Sequence, residues 1–274
     1  VTSRLELGEC LRAVESAAQG TDSADLEALL NYGPSLGGAR PKANIVLNGR
    51  LHLAKFSVSF DRRDKPTLEY ATMQLARAVG LNVPPIDLRH VAGRRVYLTE
   101  RFDRCGDIDG LQPIAFMSGL TATGLHERDY GQWSYRSLCD AIGKFSENPK
   151  EDKAELFRRM IFNILVNNND DHMRNHGFLG TGRGGWRLSP LYDVVPGHSR
   201  GESYHLALRV GQQGSLASFA NARTSAQDFG LSQQEAKDLI DSIAAKTRNW
   251  SADFKTHGVD DDEIERLSHY VKVK

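Results

Sequence analysis

The stretch Glu155–Val166 constrains this chain more than any other. Leu156, Phe157, Met160, Ile161, Ile164 and Leu165 form a wide apolar stripe at helical spacing, the pattern of a helix buried on most sides. It runs without a break into Asn167-Asn168-Asn169-Asp170-Asp171-His172-Met173-Arg174-Asn175, a polar run with no periodicity. A core helix ending in a crowd of carboxylates and amides puts hydrogen-bonding side chains at the edge of a hydrophobic interior. Such a junction is either an elaborate turn, since Asp and Asn bond their own backbone, or a site. Asp170 and Asn175 taken alone fit both.

The residues just beyond Asn175 bear on that choice. Short strands are predicted at Gly177–Leu179 and Trp186–Leu188, and then an Asp recurs in Leu191-Tyr192-Asp193-Val194. Phosphoryl transfer from ATP needs a carboxylate to orient the attacking hydroxyl, an amide oxygen for one Mg2+, and a carboxylate bridging metal and phosphates. Protein kinases place the first two at Asp-x-x-x-x-Asn and the third a hairpin later. Asp170, Asn175 and Asp193 have that spacing, and Mg2+ favours a few oxygen ligands beside phosphate.

Upstream, residues 3–18 and Asp25–Leu30 read as helices, followed by the loop Gly33-Pro34-Ser35-Leu36-Gly37-Gly38-Ala39-Arg40-Pro41-Lys42. Ala43–Leu47 and Arg50–Phe56 flank Asn48-Gly49, a strong hairpin signal. Alternation puts Lys55 on one face with Leu51 and Leu53, where a lysine needs an anionic partner. Leu68–Val79 is an amphipathic helix stopped by Gly80, with Glu69 expected in its first turn, and Val96–Phe102 is a strand. Lys55 alone is a snorkelling lysine and Glu69 alone a solvated carboxylate. In this order, behind a loop whose Gly37 and Gly38 let phosphate approach, they match the kinase pair that anchors ATP. The pattern turns helical near Asp103, so the expected domains are a mixed lobe over 1–103 and a helical lobe over 104–274. Ser232 and Glu235 predict a capping box, and Glu263–Val271 a last helix.

Five segments in sequence order carry a resemblance: Ser35 to Lys42, Ala54-Lys55-Phe56, Glu100-Arg101-Phe102-Asp103-Arg104, Asn169–Asn175, and Ser189-Pro190-Leu191-Tyr192-Asp193. They resemble the successive motifs of the bacterial HipA-like serine/threonine-protein kinase family. The resemblance implies an α+β, two-lobed protein-kinase-like fold, with a small mixed β-rich lobe, a larger all-helical lobe and ATP in the cleft. It implies Asp170 as catalytic base beside His172, Asn175 and Asp193 as Mg2+ ligands, and Lys55 on the phosphates. Glu100 and Phe102 would offer backbone groups to adenine, and Ser35 would be an autophosphorylated loop serine. It also implies a toxin of a toxin-antitoxin system with a DNA-binding antitoxin partner. The protein substrate would belong to translation, such as an aminoacyl-tRNA synthetase. Family members commonly carry a further N-terminal subdomain, whereas only about thirty residues precede the loop here, which puts the usual partner contacts in question.

Composition narrows the rest. Lys+Arg and Asp+Glu each total 35, so the formal charge is zero, which argues against a dedicated nucleic-acid or membrane coat. DNA contact is expected only through a partner. Cys10, Cys105 and Cys139 are scattered without ligand spacing, no apolar run is long enough to span a bilayer, and no signal peptide opens the chain, so a cytoplasmic protein is expected. Gly180-Thr181-Gly182-Arg183-Gly184-Gly185 mimics a dinucleotide fingerprint, but a strand and a proline follow it, so a hairpin turn is expected. Two other functions stay open: an aminoglycoside-type small-molecule kinase, which also uses Asp170, His172 and Asn175, and a nucleotide-binding, non-catalytic antitoxin partner.

Overall fold

A computed structural model describes residues 42–57, 61, 63–107, 110–197 and 204–271. The helices expected over 3–18 and 25–30, and the loop with Ser35, Gly37 and Gly38, lie outside the described residues. The chain divides into two compact units. One runs to Tyr70 and resumes over Pro84–Pro113; the other takes Ala71–Val83 and everything from Ile114.

The first unit is built on an antiparallel sheet. Strand β1 (Lys42–Leu47) and strand β2 (Arg50–Phe56) form the expected hairpin. Leu47 pairs with Arg50, leaving a two-residue loop in which Asn48 and Gly49 have φ of 50° and 76°. Both values are left-handed, as a type I′ turn demands. Helix α1 (Lys65–Ala78) follows, then β3 (Ile86–Val91) and β4 (Arg94–Glu100), and the sheet order is β1-β2-β4-β3. A two-residue ladder joins β5 (Arg104–Cys105) to β6 (Gln112–Pro113).

Three expectations are corrected by the structure. The sheet's dry face is the other one: Ala54 and Phe56 pack with Ala43, Ile45, Val96 and Leu98, while Leu51, Leu53 and Lys55 are half-buried. β4 ends at Glu100, and Phe102 falls in a turn. Helix α1 starts three residues before Leu68, so Glu69 is past its first turn. The earlier start has a local cause. Asp64 accepts from the Thr67 backbone N–H at 3.3 Å and from its hydroxyl at 2.6 Å, and Pro66 suits a first turn. At the far end Gly80, with φ of 92°, stops the helix as expected. Gly80 donates to the Arg77 carbonyl and Leu81 to that of Ala76, the paired bonds of a Schellman cap.

The second unit opens with β7 (Phe116–Ser118), the short helix α2 (Gly119–Thr123), and α3 (Tyr135–Phe145) capped by Ser134. Helix α4 (Pro149–Val166) is the predicted core helix, extended six residues towards its start by the Asn148 cap and Pro149. From Leu156 to Leu165 its apolar residues are fully buried, and Phe157 meets Phe229 edge to face at 5.1 Å. Strand β8 (Gly177–Gly180) runs one residue past expectation and β9 (Trp186–Leu188) is as expected. With β7 at the edge of β8 they form a three-stranded sheet, so this unit is mostly helical and not all-helical as the resemblance implies. The fingerprint-like glycines make the turn between β8 and β9, with Gly182 and Gly184 at φ of 75° and 91°. Helices α5 (Phe219–Thr224), α6 (Gln233–Lys246), α7 (Trp250–Thr256) and α8 (Asp261–Ser268) complete it, and Ser232 with Glu235 forms the expected capping box on α6. No described helix is long and apolar enough to cross a membrane.

Candidate active site

Within the second unit the chemistry gathers where α4 ends. Asn167 leaves the helix in a left-handed conformation at φ of 55°, and its N–H reaches back to the Asn163 and Ile164 carbonyls. Asn rather than Gly fills this turn because its side chain is used: Nδ2 donates to the Gly197 carbonyl at 3.0 Å. Gly197 returns a backbone bond to Asn167 at 2.9 Å. A Cβ on Gly197 would lie 2.1 Å from the Asn169 side chain, so only glycine lets the two segments come this close.

The loop then alternates in exposure. Asp170 is exposed, Asp171 buried, His172 half-buried, and Asn175 and His176 buried. Asn175 donates from Nδ2 to the Asp170 backbone carbonyl at 3.0 Å. That bond orients the amide, with its nitrogen turned to the Asp170 carbonyl and its oxygen left as an acceptor. The Nδ1 of His172 is buried with no hydrogen-bond partner among the described residues.

Asp193 is brought to the same loop by its neighbours. Tyr192 donates its hydroxyl to the Arg174 carbonyl at 2.7 Å, and four residues after Asp193 comes the Gly197–Asn167 pair. Between these ties Asp193 has φ of 60°, a conformation that costs a non-glycine residue about 1 kcal/mol. Backbone held this way by flanking bonds is typical of a residue whose side chain must point in one direction. Burial pushes the Tyr192 hydroxyl well above the ordinary tyrosine value; Arg159 opposes the shift, and Asp193 and Asp171 add to it. It therefore stays a donor.

A buried polar layer lies beneath. The Arg159 side chain is fully buried and bonds Glu155 at 3.0 Å and the Ser189 carbonyl at 2.7 Å. Glu155 also accepts from Arg158 and from the Asn82 N–H, and the Asn82 carbonyl takes the Leu191 N–H. The start of the Asp193 segment is thus anchored to α4. Burial pulls the Glu155 pKa upward, but the two guanidinium groups and the Asn82 N–H outweigh it and hold it below the usual glutamate value. Closer to the loop, Tyr135 donates to Asp171 and accepts from Asn163, and His176 faces the same carboxylate. Burial, then the Asp171 charge, push the Tyr135 hydroxyl well above its ordinary value.

In the first unit Lys55 Nζ lies 2.6 Å from Glu69 Oε1, with side chains 14% and 7% exposed. Its ammonium also lies 5.8 Å from the Tyr97 ring centre. Glu100 shows why a β-strand end can serve as a binding edge. Its N–H donates to the Pro85 carbonyl at 2.8 Å, but Pro85 has no N–H to return. The ladder therefore leaves the Glu100 carbonyl without a donor from Pro85. Asp103, three residues further along, is gripped by Arg101 at 2.8 and 2.5 Å and by Arg104 at 2.8 Å, which fixes the turn containing Phe102.

The sequence profile of the HipA-like C-terminal domain matches residues 34–251. The chain belongs to that family. A Sinorhizobium fredii protein provisionally named a kinase, Y4mE, is 28% identical over 233 residues, covering 77% of this chain and 55% of its own. The serine/threonine-protein kinase toxin HipA of Shewanella oneidensis is 27% identical over 190 residues, covering 59% and 42%. This HipA-like chain thus spans about half the length of the curated relatives it matches. Among solved structures, Shewanella oneidensis HipA, in complex with HipB and operator DNA, superposes with a TM-score of 0.70 at 22% identity, covering 86% of this chain and 62% of that one. The Helicobacter pylori proinflammatory kinase CtkA gives 0.64 at 15% identity, covering 88% and 90%. The HipA-like chain therefore has the expected α+β, kinase-like fold.

The sequence singles out Asp170, His172, Asn175 and Asp193, and the structure gathers them on one loop and the segment bonded to it. Sequence reasoning misses Tyr135, Asn163, Asn167, Asp171, His176 and Tyr192. Only the Asn run gives a signal for any of them, since Asn tolerates the left-handed helix stop.

Proposed function

We propose that this HipA-like chain is an ATP-dependent serine/threonine protein kinase with Asp170 as its catalytic base. The observation that carries this is the Asn175 amide bonded to the Asp170 carbonyl, with Asp193 held beside the same loop by Tyr192 and Gly197. An exposed carboxylate can serve the attacking hydroxyl, while an oriented amide oxygen and a second carboxylate are the oxygen ligands that Mg2+ takes beside a triphosphate.

Bound ATP would supply the γ-phosphoryl group, with the nucleoside diphosphate as leaving group, and Mg2+ would offset the charge on the phosphate oxygens. Asp170 orients the attacking hydroxyl and takes its proton. Asn175 and Asp193 would hold Mg2+ through oxygen, and Lys55, kept in place by Glu69, would contact the phosphates. The Glu100 carbonyl and Phe102 N–H bind the adenine edge, with Gly37 and Gly38 near the phosphates. His172 supports the loop, and Ser35 is the autophosphorylation site. The partner is a DNA-binding antitoxin, the protein acts as the toxin of that pair in the cytoplasm, and its substrate is a protein of translation.

Incubation with ATP and Mg2+ followed by intact-mass and peptide analysis tests this. A single added phosphate on Ser35 supports it. Absence of any ATP consumption by the full chain overturns it.

A further inference from the structure

The residue after the proposed base is a buried carboxylate with no part in the chemistry assigned to its neighbours. Asp171 is 2% exposed, yet the adjacent Asp170 faces solvent. One oxygen of Asp171 takes the Tyr135 hydroxyl. The other lies 3.1 Å from His176 Nε2, out of line for a hydrogen bond. Tyr135 is fully buried on the first turn of α3, and its ring meets the His176 ring edge to face at 5.8 Å.

The cluster continues into α4. Asn163 donates to the Tyr135 oxygen at 3.2 Å and accepts from Asn168 Nδ2 at 3.1 Å. The Asn168 N–H also bonds the Asn163 carbonyl at 2.9 Å. On the other side the His176 carbonyl takes the Gly119 N–H at 2.7 Å, and a Cβ on Gly119 would lie 2.6 Å from the Met173 carbonyl. The loop is thus held at Asn168, Asp171 and His176, that is, before, between and after the two residues assigned to chemistry. A carboxylate buried with one hydroxyl donor is costly for stability, and an apolar residue of the same size would fill the space at less cost. An apolar residue there would fill the volume without fixing the loop's direction. The carboxylate does fix it: with Asp171 drawn inward to Tyr135, Asp170 is turned outward.

We infer that Tyr135 and Asp171 are positioning residues that aim the Asp170 carboxylate and hold Asn175 in register, acting through the loop rather than on substrate. This rests on the kinase reading and deepens it.

The full chain is compared with Tyr135→Phe, Asp171→Ala and Asp171→Asn, using Mg2+-dependent ATP turnover and hydrogen exchange of the nucleotide-free protein. Tyr135→Phe and Asp171→Ala lower kcat on the order of 100-fold, because small misplacement of a reacting group has that scale of effect, while KM for ATP holds. Asp171→Asn keeps an acceptor for the Tyr135 hydroxyl and restores most of the rate. Amide exchange over 168–176 speeds up about tenfold in Tyr135→Phe, with the later turns of α3 unchanged. Wild-type kcat with wild-type loop exchange in Tyr135→Phe overturns the inference. If the wild-type chain turns over no ATP, the kinase reading fails, and loop exchange alone decides the positioning role: unchanged exchange in Tyr135→Phe overturns it and faster exchange supports it.

Discussion

The Lys55 ammonium and the Glu69 carboxylate form a 2.6 Å ion pair on the half-buried face of the sheet, one contributed by β2 and the other by α1. A pair this enclosed separates stability from function. Glu69→Ala takes the carboxylate away from a nearly enclosed cation and is expected to destabilise by about 3 kcal/mol, as loss of one buried partner does. The double variant Lys55→Met with Glu69→Leu removes both charges and recovers most of that stability. ATP turnover stays lost in both variants. Urea unfolding alongside a turnover assay checks this.

Tyr192→Phe removes the bond to the Arg174 carbonyl while keeping the ring. About 1 kcal/mol of stability goes with it, the usual net value of one hydrogen bond. The larger effect falls on Asp193, whose left-handed backbone loses the tie at its immediate neighbour. The Mg2+ concentration for half-maximal turnover is expected to rise several-fold, read from a magnesium titration at fixed ATP.

Glu155 sets an acid-side limit. Its pKa is depressed in the folded state, so its contribution is fully present above the unfolded value, near 4.5. It is lost as pH falls through the depressed folded value. Glu155→Gln leaves the fully buried Arg159 without its carboxylate and costs about 3 kcal/mol near neutral pH. The same variant loses less further stability than wild type on going to about pH 4, because the group that titrates is gone. Denaturant midpoints at the two pH values report both effects.

The thiols differ by burial. Cys105 is exposed, whereas Cys139 is enclosed in the second unit, and burial pushes its thiol well above the ordinary cysteine value. A maleimide pulse on native protein is expected to label Cys105 and spare Cys139 until urea unfolds the second unit, as peptide masses would show.

The features legible in the sequence are the local ones. The Asn48-Gly49 hairpin, the Gly80 stop, the Ser232 cap and the apolar stripe of α4 each sit within a few residues of the signal that reveals them. β3 is not legible, because at the sheet edge it carries Asp87, Arg89 and His90, and Ala92-Gly93 lacks the Asn or Asp that usually precedes glycine in such a turn, although Ala92 reaches φ of 46°. The face of β2 misleads for a related reason. Ala54 is small, so alternation favours the leucines, and only the partners Ile45, Val96 and Leu98 show which side is dry. At the site, Asp170 and Asn175 stand out by spacing. Tyr135 does not, since it meets Asp171 from 36 residues away and nothing near it hints at a partner. Long-range polar contacts of that kind have no period to read.

The central claim is that the exposed Asp170 carboxylate takes the proton of the attacking hydroxyl, while Asn175 and Asp193 hold Mg2+. Phosphate transfer by purified Asp170→Asn, measured beside ATP binding by calorimetry, tests it most directly. The account predicts that transfer disappears and ATP affinity stays close to wild type. Transfer at the wild-type rate would contradict it.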